Sequence, residues 1–378
     1  MRIAVNTRLL IKNKLEGIGW FSYETLSRIT RQHAEHEFIF LFDRPFSDDF
    51  IFSDNVECVV VPPPARHAIL FYIWFEFRVP KILKQYKADI FISPDGYLSL
   101  RSKIPSLVVM HDLNFEYYPK DIPFASRLHY KTFFPKYARN ATRIATVSEY
   151  SKSDIVKLYG VSPEKIDVVY NGANESFTPQ SDETRKKVQE KYTLGQPFFV
   201  FVGALNPRKN LVNLFKAFDL FKEWDQQGIK LLVIGEKMYW SNQIRDAYHQ
   251  MKHKNEVIFS GRLGIEELKE TVGSAIALTY VSYFEGFGIP IVESFYAETP
   301  VITSNVTSMP EVAGDAALYV DPFSVHSICE ALKTMSVDEK LRQQLITKGK
   351  IRRENFSWQK SADRLWNTIE KVLTGKNE

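Results

Sequence analysis

Short apolar runs, rich in β-branched and aromatic residues, alternate along the chain with longer amphipathic stretches. The first group is RIAVN (2–6), EFIFLF (37–42), VECVVV (56–61), ADIFIS (88–93), SLVVMH (106–111), RIATVS (143–148) and IDVVYN (166–171). The second is FFVFVG (198–203), KLLVIG (230–235), EVIFSG (256–261), AIALTY (275–280) and TPVITS (299–304). Strand-length runs separated by helix-length segments predict the α/β class with parallel sheets. Because the runs are nearly continuous rather than alternating, both faces of each sheet are expected to be covered. The polar stretch FTPQSDETRKKVQEKYTLGQP (177–197) parts the two groups, so the expected domains are 1–178 and 179–358. Each is expected as a Rossmann-like, doubly wound sheet, the two facing one another across a cleft at the carboxyl ends of their strands. In SWQKSADRLWNTIEKVL (357–373), Trp358, Leu365, Trp366, Ile369 and Val372 fall on one side of a helix. The closing segment, 359–378, is therefore read as a helix able to pack back on the first domain.

Length agrees with two domains, since 378 residues exceed what one core usually organises. A net charge of +4 is too small for a nucleic-acid-binding face, and no nucleic-acid partner is expected. Two cysteines far apart, Cys58 and Cys329, point to a reducing compartment rather than a disulfide framework. The N-terminal MRIAVNTRLL lacks a signal-peptide core, and no run reaches the roughly 18 apolar residues of a membrane-spanning helix. A cytoplasmic location is expected. HAILFYIWFEFRVPKIL (67–83) is strongly aromatic and fits either a helix packed in the first domain or one lying against a membrane.

The candidate chemistry sits at strand ends. YFEGFGIPIVESFYAETPVI (283–302) follows a strand and places Glu285 to Gly288 in the turn before a helix with Pro290 in its first turn. Bare amides at such a turn attract phosphate, and Glu285 and Glu293 can accept hydrogen bonds from hydroxyls. A tight turn with two solvated glutamates fits the same spacing. In FVGALNPRKN (201–210) a strand ends at Gly203, leaving Arg208 and Lys209 where a diphosphate would lie. GIGWFSYETL (17–26) has Gly17 and Gly19 at a helix entrance but no third glycine of a dinucleotide fingerprint. VVMHDLNF (108–115) sets His111 and Asp112 just past a strand, and Ser148 in ATVSEYSKSDI reads as a helix cap. His33 and His36 have no second cluster to complete a metal site, and the chain has no Asp-x-Asp pair.

HDLNF, TVSEYSKSDI, KIDVVYNGANESF, VGALNPRKN, VIFSGRL and above all EGFGIPIVESFYAETPVITSNVTSMPEVAGDAALYVDP together resemble the retaining glycosyltransferases of family 4, which have the GT-B architecture. The resemblance spans nearly the whole chain. It implies transfer of a hexosyl group, with mannose favoured, from a nucleoside diphosphate sugar such as GDP-mannose to a glycan or lipid-linked glycan. It implies retention of configuration, no bound cofactor and no metal. Glu285, His111, Lys209 and Arg208 become the catalytic set. Glu293, Gly286, Phe287, Gly288, Gly17, Gly19 and Gly203 become the donor-binding set, with Glu293 on the ribose. Many members carry arginine directly after the strand-ending glycine; here that position is Ala204, which shifts the charge to Arg208. Peripheral contact with the inner face of the cytoplasmic membrane is part of the same expectation. A sugar-nucleotide epimerase of the same architecture, or a non-catalytic subunit that binds nucleotide sugars, stays open on the residues alone.

Overall fold

The computed structural model describes residues 1–236 and 240–375. The chain divides into two compact units, Met1–Gly172 with Trp358–Glu378, and Ala173–Ser357; residues 376–378, at the end of the segment read as helical, lie outside the described residues. The first unit holds seven strands: β1 (Arg2–Asn6), β2 (Glu37–Phe42), β3 (Val56–Val60), β4 (Ile90–Ser93), β5 (Ser106–Met110), β6 (Arg143–Thr146) and β7 (Ile166–Val168). They form one parallel sheet in the order β3-β2-β1-β4-β5-β6-β7. The second holds β8 (Phe198–Val202), β9 (Lys230–Ile234), β10 (Val257–Gly261), β11 (Leu278–Tyr280), β12 (Val301–Ser304) and β13 (Leu318–Val320), parallel in the order β10-β9-β8-β11-β12-β13. Both are doubly wound α/β sheets, as the sequence pattern predicts.

The strand order reverses between β1 and β4 in the first sheet and between β8 and β11 in the second. At such a switch point the crossovers leave to opposite faces, and the crevice beyond the carboxyl ends is where open α/β sheets bind ligands. The sheets are rigid enough to position groups there: every residue of β5 is buried, and Phe199, Val200 and Phe201 of β8 are wholly buried.

The division between the units falls at Gly172/Ala173, ahead of the polar stretch. Phe177 explains the position, because its side chain is buried with Val272 and Ala297 of the second unit. The final helix, Trp358–Thr374, packs on the helix Gly17–Gln32 in the first unit. Trp366 stacks on His33 at 3.6 Å and Trp358 meets Phe21 edge-on, so His33 and His36 serve that junction.

Two elements differ from expectation. β13 is absent from the sequence reading because three residues followed by Asp321-Pro322 make no recognisable run. The aromatic stretch is not one regular helix: Ala68–Ile73 and Val79–Gln85 are joined by a π-helical turn, Trp74–Arg78, which buries Trp74, Phe75 and Glu76. That extra residue per turn rotates the following side chains, so Phe77 points outward and is 47% exposed.

Candidate functional site

At the β8/β11 switch point the loops that follow the two strands meet. After β8 the chain makes one short turn, Pro207–Lys209, before the helix Leu211–Trp224. After β11 it runs through Ser282–Gly288 into the helix Ile289–Tyr296, with Pro290 in the first turn. Gly288 caps that helix at φ 111°, a conformation that side chains rarely adopt, and a Cβ there would come within 3.1 Å of Ile291.

These two loops bring Arg208, Lys209 and Glu285 together. Arg208 Nη1 donates to Glu285 Oε2 at 2.8 Å and to the Phe284 carbonyl at 3.2 Å. Lys209 Nζ lies 2.7 Å from Glu285 Oε1 and donates to the Tyr280 hydroxyl at 2.7 Å. Burial alone would raise the Glu285 carboxyl, but the charges of Arg208 and Lys209 hold it down at about 2. Glu285 is thus an anion throughout the physiological range. Burial, with the Glu285 charge beside it, pushes the Tyr280 phenol well up, so Tyr280 stays protonated.

The turn itself is braced from β12. Ser308 Oγ donates to the Glu285 carbonyl at 2.8 Å and the Phe287 carbonyl at 3.1 Å, and the Glu285 N–H donates to Thr307 Oγ1 at 3.3 Å. Thr307 itself sits at φ 56°, a strained setting for a β-branched residue. Sequence reasoning missed Tyr280, Thr307 and Ser308. Tyr280 had a usable signal as the last residue of a strand; the other two lie in TSNVTSMPEV, inside the block that carries the family resemblance.

Glu293, one turn into the same helix, is half-buried; its backbone carbonyl accepts from the Ala297 N–H at 3.0 Å, while its carboxylate accepts no hydrogen bond from any described residue. Burial pushes its carboxyl up to about 7. Since an unfolded-chain glutamate titrates near 4.3, the folded protein holds a proton between about 4.3 and 7 that the unfolded chain has lost, and stability falls as pH rises through that window. Glu293→Gln is therefore expected to stabilise the free protein by about 1–3 kcal/mol at about pH 8 and to leave it nearly unchanged at about pH 4.5. Urea unfolding at the two pH values measures this. Equal stabilisation at both would mean that the charge of Glu293 is not what costs.

In the first unit, His111 follows β5. Its Nε2 lies 2.8 Å from the Pro94 carbonyl and must be the donor, and burial lowers its pKa. The ring is consequently neutral with Nδ1 unprotonated, able to accept a proton or a hydrogen bond. The His111 carbonyl accepts from Ser151 Oγ at 3.1 Å, and Ser148 caps the helix Glu149–Tyr159 as predicted. Gly17 and Gly19 form the first turn of the helix Gly17–Gln32; a Cβ at Gly19 would press within 3.1 Å of the Leu9 carbonyl, so the loop can approach only a glycine there. Phe21 of that helix meets the His111 ring edge-on at 5.0 Å. At the β1/β4 switch point the structure adds a buried polar group not anticipated from sequence. Arg8 Nε donates to Asp95 Oδ2 at 2.6 Å, and Asn6 Nδ2 donates to Asp95 Oδ1 at 2.9 Å. The predicted residues therefore form two sets: Gly203, Arg208, Lys209, Gly286, Phe287, Gly288 and Glu285 with Glu293 nearby in the second unit, and Gly17, Gly19 and His111 in the first. Among the described residues no three or more His, Cys, Asp or Glu side chains are arranged to hold a metal ion.

Comparison with known proteins addresses both units. A model described as Glycosyltransferase Family 4 matches residues 15–177, and one described as Glycosyl transferases group 1 matches residues 182–352. The chain is 27% identical over 370 residues to O-antigen chain mannosyltransferase B of Escherichia coli, covering 92% of this chain and 94% of that protein. It is 32% identical over 228 residues to O-antigen chain mannosyltransferase RfbU of Salmonella typhimurium, covering 60% of each. Among solved structures, WaaG, a glycosyltransferase involved in lipopolysaccharide biosynthesis, aligns over 99% of this chain and all of its own with a TM-score of 0.75 and 17% identity. Anabaena HepE in complex with UDP-glucose aligns over 98% of this chain and all of its own with a TM-score of 0.76 and 15% identity. At those identities the structural likeness establishes the GT-B fold.

Proposed function

Because the chain belongs to glycosyltransferase family 4 and is a glycosyltransferase, we propose that it transfers a mannosyl group from GDP-mannose, with retention of configuration, to a hydroxyl of a glycan or lipid-linked glycan at the inner face of the cytoplasmic membrane. The observation that carries the donor site is the Arg208–Glu285–Lys209 cluster at the β8/β11 switch point. Loss of a diphosphate leaving group builds negative charge, and preorganised cations and helix-end amides stabilise that charge. Arg208, Lys209 and the Gly286–Gly288 turn supply both. In the free protein Glu285 occupies the two cations; with donor bound, the diphosphate takes them over and Glu285 turns to hydroxyls of the transferred sugar. Glu293 accepts from the ribose, and neutral His111 contributes Nδ1 from the first unit. The proton of the acceptor hydroxyl passes to the departing phosphate. The mannosyl assignment is supported by the two relatives named as O-antigen mannosyltransferases. An epimerase would consume donor without acceptor, and a non-catalytic subunit would bind nucleotide without turnover.

The test is a thermal-shift titration with GDP, UDP and ADP and their sugar conjugates. A ligand at about 100 times its dissociation constant adds roughly 2.7 kcal/mol, which moves Tm by several degrees. A shift with GDP and GDP-mannose is expected. A shift with UDP or ADP alone would overturn the donor assignment.

A further inference from the structure

The first sheet has its own switch point, between β1 and β4, and the side chains gathered beyond it take no part in the donor site. Arg8 follows β1 and Asp95 follows β4. The Arg8 guanidinium lies between two rings, 4.8 Å from the centre of Phe71 and 4.8 Å from that of Tyr97. Its Nε donates to Asp95 Oδ2 at 2.6 Å, which fixes the plane of the group. Burial works against the charge of Arg8, but Asp95 beside it keeps the guanidinium protonated. The far edge of the group is different: among the described residues neither Nη has a hydrogen-bond partner. Arg8 is 8% exposed, and buried donors left unpaired are costly. A second such group stands against the same rings. His129, in the helix Phe124–Asn140, is 6% exposed, with its ring centre 5.5 Å from that of Tyr97 and 6.2 Å from that of Phe71. Its Nε2 is buried without a partner. Burial, with the Arg8 charge, lowers its pKa to about 4, so the ring is neutral and can carry its proton on Nε2 as a further donor. The π-helical turn Trp74–Arg78 completes the wall, since Phe75 stacks on Tyr97 at 5.2 Å and lies 6.0 Å from Arg8. Turns of this kind recur at functional sites.

Either a hydroxyl or an oxyanion could accept from these donors, and the neighbouring carboxylates decide between them. Asp95 already accepts from Arg8, from Asn6 Nδ2 at 2.9 Å, from Ser93 Oγ at 3.1 Å and from the Tyr97 N–H at 3.3 Å. Asp43 accepts from Arg44 Nε at 2.6 Å, from Arg44 Nη2 at 2.9 Å and from the Ala65 N–H at 2.8 Å. Both are occupied, so a hydroxyl arriving at Arg8 would find no carboxylate free to take its own proton. An oxyanion brings acceptors only. Two Nη groups in one plane match the paired oxygens of a phosphate or a carboxylate, and the aromatic clamp holds that fork ready.

We propose that Arg8, with His129 beside it, binds an oxyanion of the acceptor substrate, a phosphate or a carboxylate group, in the first unit. That the anion belongs to the acceptor rests on the transferase reading above; the site itself does not depend on Arg208, Lys209 or Glu285. The experiment is a thermal-shift titration of the full-length protein with pyrophosphate, glucuronate and methyl α-mannoside at constant ionic strength, with and without saturating GDP. With GDP present, a shift is expected from pyrophosphate, from glucuronate or from both; pyrophosphate alone assigns a phosphate to Arg8, and glucuronate alone a carboxylate. Arg8→Lys keeps a cation against Asp95 but gives up the fork, and is expected to weaken that anion about 10–100-fold. His129→Phe keeps the aromatic packing and should weaken it about 3–10-fold. Both variants should keep the GDP shift, a readout that a purely structural defect would not spare. In Lys209→Met the Arg8-dependent shift is expected to persist. No anion shift in the presence of GDP, an unchanged shift in Arg8→Lys, or a shift with methyl α-mannoside alone would overturn the proposal. Should Arg8→Lys fail to fold, the His129→Phe titration decides in the same way. An Arg8-dependent anion shift without any GDP shift would leave this site standing and remove the donor reading instead.

Discussion

Replacing Glu285 by alanine is expected to lower kcat about 10²–10³-fold and to destabilise the free protein by about 3–5 kcal/mol. The two effects have different origins. In the free protein Glu285 is 5% exposed and neutralises two cations, Arg208 at 2.8 Å and Lys209 at 2.7 Å. Removing it leaves Lys209, itself buried, as an uncompensated charge, and that is the costly way to break a buried pair. The sign with pH follows from the Glu285 carboxyl being held at about 2. A carboxylate whose folded pKa is depressed stabilises fully above its ordinary value and loses that contribution as pH falls toward about 2. The wild-type advantage over Glu285→Ala should therefore shrink below about pH 4 in acid-unfolding curves. The kinetic loss would have the other origin, the contact proposed between Glu285 and the transferred sugar. If turnover with saturating donor stayed within threefold of wild type, the carboxylate would be structural only.

The second large effect is expected from Lys209→Met, which keeps most of the stem and removes the charge. Donor affinity should fall about 10–100-fold, since a desolvated ammonium on a phosphate is among the stronger polar contacts. In the same variant the Glu285 carboxyl loses one of the two cations that depress it, so its pKa should rise. Arg208→Ala should behave similarly but not additively, because both cations share Glu285 and one diphosphate. Calorimetric titration of GDP into the two single variants and the double variant measures the coupling. Strictly additive losses would mean that Arg208 and Lys209 do not act on one ligand group. The comparison matters because Ala204 stands where the family resemblance leads one to expect an arginine, and the proposal assigns that charge to Arg208.

Much of this arrangement could be read from the chain because it depends on local order. Fully apolar runs such as FFVFV and SLVVM announce buried parallel strands, and a glycine turn running into Ile289-Pro290 announces a helix start at a strand end. What stayed hidden depends on strands returning beside one another. β12 lies next to β11 only because the crossover helix Ile289–Tyr296 brings it back, and that adjacency lets Ser308 hold the Glu285 turn. Likewise, Arg8 and Asp95 become partners through the pairing of β1 with β4, and no spacing in the sequence relates them. The π-helical turn at Trp74–Arg78 also escaped, since hydrophobic periodicity gives no sign of one inserted residue. It decides which aromatics of that stretch are core and which are exposed.

A crystal structure with GDP decides whether the donor diphosphate lies at the β8/β11 switch point, as proposed. Both phosphates are expected within hydrogen-bond distance of Lys209 Nζ, the Arg208 guanidinium and the Gly286–Gly288 amides, with the ribose hydroxyls on Glu293 and the Glu285 carboxylate released from at least one cation. GDP bound elsewhere, with the Arg208–Glu285–Lys209 cluster intact, would contradict it.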